Sequence, residues 1–138
     1  MPIPSQLSFV NASLLVALGG GVGCWLRFLV GRAWIAAAGP VRASAFPFAT
    51  LTVNVVGSIA MGLLVGWLAR ASGQSEATRL LLAVGVLGGF TTFSSFSLEV
   101  ISLFERGQPG LASFYAMASV AAGLIGLWLG LLLMRSPA

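Results

Sequence analysis

The chain has 138 residues and a formal charge of +4, with seven arginines as its only bases, three glutamates as its only acids and no histidine. With 58% of residues hydrophobic and 7% charged, it cannot cover a water-facing surface, for which soluble domains use roughly 25% charged residues, so lipid is part of its solvent. One cysteine, no His and no Asp leave almost no material for a metal cluster, a triad or a carboxylate pair, and no basic run points to nucleic acid, so an all-α integral membrane protein is expected rather than an enzyme.

A spanning helix needs about 20 largely apolar residues, and the stretches between charges supply four of them. The first covers residues 8–35 and stops at Gly39-Pro40. No basic segment precedes it and its apolar run continues past Gly23, so it reads as a span rather than a cleaved leader. Cys24 within it reads as a buried packing residue. The second span covers 47–69, with Pro47 suited to a first helical turn. A polar loop from Arg70 to Arg79 leads to the third span, 80–104, which leaves through Glu105-Arg106-Gly107. Pro109 opens the fourth, 109–134. The chain is therefore read as a single four-helix transmembrane domain over residues 1–138.

Gly19/Gly23, Gly62/Gly66 and Gly126/Gly130 have the spacing that lets helices approach closely in lipid. An even number of spans puts Arg70, Arg79, Arg135 and the terminal amine at one end, and Arg27, Arg32, Arg42 and Arg106 toward the other. The tally is near four against four, so the positive-inside rule selects no orientation. A chain without that bias can insert both ways, and an antiparallel two-fold homodimer would follow.

The third span is anomalous. Gly88-Gly89-Phe90-Thr91-Thr92-Phe93-Ser94-Ser95-Phe96-Ser97 holds five hydroxyls, a glycine pair and three phenylalanines at mid-span. Such residues offer backbone conformations and side-chain bonds that compete with a helix, so a helix broken mid-membrane is expected in preference to a continuous one. Broken helices at membrane depth face protein or a watery cavity, and often mark ion sites. In the second span Thr50, Asn54 and Ser58 recur every four residues on one face. Asn54 is a carboxamide in an apolar run and needs a partner, as glue between helices or as a pore-lining donor. Tyr115 and Ser119 form a similar pair in the fourth span. Glu99, one turn beyond Phe96, is a functional candidate at a vestibule or a solvated interface residue.

These residues resemble a known family. Gly88 to Ser97 is similar to the Gly-Gly-x-Thr-Thr-Phe-Ser-Thr-Phe signature of the Fluc/CrcB fluoride channels, with Ser95 where Thr is common. Asn54, within residues 50–57, resembles the family's second-helix motif, and Gly20 to Arg27 its first-helix motif. The resemblance implies a fluoride-selective channel of the bacterial inner membrane, exporting fluoride passively through two pores of an antiparallel homodimer. It implies a structural sodium ion at the dimer axis, held by backbone carbonyls of Gly88 and Thr91. Phe93 and Phe96 would be the pore phenylalanines, offering positive ring edges to the anion. Asn54 would donate to fluoride or hold a phenylalanine in place. Ser119, Tyr115, Thr50 and Ser94 would add polar lining, with Arg27 and Glu99 at a vestibule. Phe90 would pack.

The competing expectation is a small dual-topology multidrug or cation exporter, which shares the size and weak charge bias. Such a transporter needs a carboxylate deep in the membrane, and the first, second and fourth spans hold none.

Overall fold

In a computed structural model, residues 7–70 and 76–135 are described, and among them all regular structure is helical. Four stretches are long and apolar enough to cross a membrane: Phe9–Ala38, Phe48–Arg70, Glu76–Glu105 and Pro109–Met134. Most of the loop expected between Arg70 and Arg79, residues 71–75, lies outside the described residues.

The first helix, α1 (Phe9–Ala38), starts where the Ser8 hydroxyl accepts from the Asn11 amide at 3.3 Å. It ends at Gly39, whose φ of 79° is open to glycine and turns the chain away. Pro40 then nucleates a short helix, α2 (Pro40–Ala45), before α3 (Phe48–Arg70). The sequence reading ran straight from the Gly39-Pro40 stop to Pro47 and did not separate α2.

The third span is composite. A turn of helix, α4 (Glu76–Thr78), leads into a π-helical segment, Arg79–Leu87, and then α5 (Gly88–Phe90). Thr91 and Thr92 are extended, with ψ of 157° and 119°, and α6 (Phe93–Glu105) follows. Gly107, at φ 72°, turns the chain into α7 (Pro109–Arg135).

Between lipid-facing helices there is no hydrophobic driving force, so close van der Waals contact must hold them together. The three glycine pairs supply it within one chain. On Gly62 a Cβ would collide with the Leu127 carbonyl, and on Gly130 it would lie 2.5 Å from the Ile59 carbonyl, so α3 and α7 touch backbone to backbone. Gly19 and Gly23 meet the π segment and α5 in the same way, against Leu81, Gly85 and Val86. Past the break, α6 leaves α1 and packs on α7 around buried Leu103, Ala112 and Tyr115. The third span thus changes partner where its helix is interrupted. Most other large apolar side chains face outward, among them Leu98, Phe114 and Leu124.

Candidate functional site

The interruption at Thr91–Thr92 is built from side chains standing in for helical partners. Asn54 on α3 reaches it with both ends of its carboxamide. Its Oδ1 accepts from the Thr92 amide at 2.8 Å and its Nδ2 donates to the Thr92 carbonyl at 3.0 Å. Only one orientation of the amide satisfies both bonds. Thr92 caps α6 in turn: its Oγ1 accepts from the Ser95 amide at 3.2 Å and lies 3.3 Å from Ser94 Oγ. A continuous α-helix would direct the Thr92 amide to Gly88 and the Ser95 amide to Thr91. Both amides are diverted to side-chain oxygens, so the Gly88 and Thr91 carbonyls lose those donors. Gly88 is also exposed on the outside of the chain. Two carbonyl oxygens without their helical donors are the type of ligand that a hard cation such as sodium takes.

Directly after the break come Phe93 and Phe96, with ring centroids 5.7 Å apart and tilted by 41°. Both line a cavity of about 350 Å³, together with Asn54, Ser58, Thr92 and Ser119. Phe93 is 79% exposed in the single chain, while Phe96 is half-buried against Tyr115, at 5.4 Å between ring centres. The Ser119 hydroxyl oxygen is buried at the cavity wall and has no partner in hydrogen-bonding geometry among the described residues. Ser58 instead donates to its own helix at Asn54 O, 2.7 Å away.

Glu99 gathers the remaining polar candidates. Its carboxylate accepts from Thr50 Oγ1 at 2.6 Å and from the Tyr115 hydroxyl at 2.7 Å, so one group joins α3, α6 and α7. It lines a second cavity of about 450 Å³ with Arg27, Thr50, Thr92 and Ser95. Glu99 also lines a third cavity, of about 280 Å³, on its other side with Ser44, Ser102 and Arg106. Thr92 is common to the first and second cavities and Glu99 to the second and third, so neighbouring cavities share a wall residue.

Asn54, Phe93, Phe96 and Ser119 therefore meet at one cavity, and Arg27, Thr50 and Glu99 at the next. Tyr115 is buried and joins the second group by donating to Glu99. Ser94 is exposed and lines none of the three cavities. Phe90 lies with the Thr91 methyl against Gly57. Cys24, expected to be buried, is exposed, because it sits beside Gly23 on a face of α1 turned away from the close helix contact. Its sulfur lies 3.4 Å from the Arg27 guanidinium. Sequence reasoning did not single out Thr92, Ser95 or Arg106. The Thr92-x-x-Ser95 spacing of a helix N-cap was the available signal for the first two.

The sequence profile of the CrcB-like protein family, camphor resistance (CrcB), matches residues 14–131. The chain belongs to the CrcB-like family. It is 57% identical over 129 residues to the fluoride-specific ion channel FluC of Novosphingobium aromaticivorans, covering 94% of this chain and 100% of that one. A protein of the same name from Sphingopyxis alaskensis is 52% identical over 126 residues, covering 91% and 97%. That from Agrobacterium fabrum is 51% identical over 122 residues, covering 88% and 94%. The CrcB-like family is thus one of ion channels, not enzymes.

Proposed function

We propose that this chain is a fluoride-selective channel that lets fluoride leave the cell passively across the bacterial inner membrane, working as an antiparallel homodimer with two pores. The observation that carries this reading is the pinned helix break that opens directly onto the Phe93–Phe96 cavity. Relatives named fluoride-specific ion channels, matched over nearly their full length, support it.

Fluoride is small and strongly hydrated, so a pore must replace the water it removes. Three kinds of donor stand at this cavity. The ring edges of Phe93 and Phe96 carry partial positive charge. The Ser119 hydroxyl is buried at the wall, near Tyr115. Asn54 retains one Nδ2 hydrogen beyond the one it gives to Thr92. All are dipoles rather than full charges, which favours release as well as entry. Arg27 lies in the next cavity with Glu99, where a cation can attract anions without trapping them in the constriction. Asn54 serves chiefly as an anchor, since its two bonds set where α6 begins and hence where both rings stand.

Gly88 and Thr91 would hold a sodium ion at the dimer axis through their carbonyls. When bound there, the ion would supply a fixed positive charge joining the two breaks.

The reading is tested by efflux from liposomes holding the purified chain, with fluoride and chloride compared at matched gradients. Fast fluoride loss without chloride loss is expected. Phe93→Ile and Phe96→Ile should each suppress fluoride flux in a protein that elutes as the wild type does. Full flux in both would sink the assignment of the pore to these rings.

A further inference from the structure

The third cavity is not absorbed by the pore lining, although Glu99 connects it to the second. It is enclosed by Ala43 and Ser44 of α2, Pro47, and Glu99, Ser102 and Arg106 at the end of the third span. The Arg106 guanidinium is fixed across it. Its Nη1 donates to the Ser44 carbonyl of α2 at 3.0 Å, and its Nε reaches Ser102 O at 3.4 Å. Both acceptors are carbonyl dipoles, so these bonds orient the charge without cancelling it. Glu99, at the inner wall, has both carboxylate oxygens occupied by the Thr50 and Tyr115 hydroxyls. The cavity therefore presents a held cation beside a carboxylate whose oxygens are bonded by two hydroxyls, which orient that charge without cancelling it.

We infer that this cavity is a mouth of the anion pathway and that Arg106 is its anion-gathering residue, held in place by α2. The inference rests on the channel reading above. α2 then has a use that its length alone does not suggest, since it carries the carbonyl that aims the guanidinium. The ligand is a small hydrated inorganic anion, drawn to this cavity by the charge of Arg106. Arg32 and Arg42 lie toward the same end of the chain and add to the field there, while Glu105, next to Arg106, opposes it. Such a field raises the local anion concentration, an effect that weakens with ionic strength. The plain alternative is that Arg106 only staples α2 to α6.

The two are separated by the dependence of flux on fluoride concentration, measured in liposomes with the full chain. Arg106→Gln should raise the half-saturating fluoride concentration roughly tenfold at low ionic strength, with maximal flux unchanged. The salt sensitivity of wild-type flux at low fluoride should be lost with it, and Arg106→Lys should restore both. Unchanged half-saturation in Arg106→Gln, with the wild type conducting, would overturn the inference and leave the channel reading intact. A wild type without fluoride flux would remove that reading and this inference together. Should Arg106→Gln fail to fold, Ser102→Glu and Ser102→Lys test the same mouth with the staple in place. The acid should raise half-saturation and the base lower it, and equal effects from the two would overturn the proposal.

Discussion

A carboxamide carries acceptor and donor side by side, as a peptide unit does, and Asn54 presents both to the amide and carbonyl of Thr92. Removing it by Asn54→Ala would leave two backbone groups unpaired at a depth where water is scarce, each costing about 1–3 kcal/mol. The expected outcome is a lower melting temperature of the purified protein in detergent, together with strongly reduced fluoride efflux. Asn54→Asp is nearly isosteric but turns the donor facing the Thr92 carbonyl into an acceptor, so it should show both defects at neutral pH. Wild-type stability in both variants would mean that the break stands without its anchor. The need for a partner at Asn54 is readable from an amide set in an apolar run. The identity of that partner is not, because the register between α3 and the third span is decided by packing. Glu99 shows the same limit more sharply. Its place near the end of a span is plain in the sequence, but its two partners, Thr50 and Tyr115, come from two other helices.

Helices that meet through glycine tolerate no added atoms at the contact. Gly62→Ala would place a methyl group against the Leu127 carbonyl, which is backbone and cannot rotate aside. A loss of about 1–3 kcal/mol is expected, read as a lowered melting temperature and a broadened elution profile. Gly20→Ala, where an added Cβ meets no other atom within 4 Å, should behave as the wild type in the same assays. The four spans are legible because length and apolar content alone select them. The glycine pairs are legible as contacts, but not as contacts within one chain. The π segment is not legible at all, since Arg79 to Leu87 reads like any apolar helix. Nor is α2, whose six residues are too few to leave a periodic signal.

For the molecule as a whole, the near-even division of arginines between its ends predicts insertion in both orientations. Reporters fused to the C-terminus, one active inside the cell and one outside, should both give signal. Adding two lysines beside Arg106 should shift the population to one orientation and lower fluoride export from cells, if antiparallel pairing is needed for function. A signal from only one reporter in the unmodified chain would contradict dual insertion. Within each chain, two helix pairs are closely packed: α1 with the first half of the third span, and α3 with α7. Thr91 and Thr92 are one place where the chain steps from one pair to the other, α2 being another. A tilt of one pair against the other, as when the bilayer thins or is stretched, would bend the chain at this joint as well as at α2. The next side chain along is Phe93, so a bend at this joint would be felt first by a ring that lines the cavity.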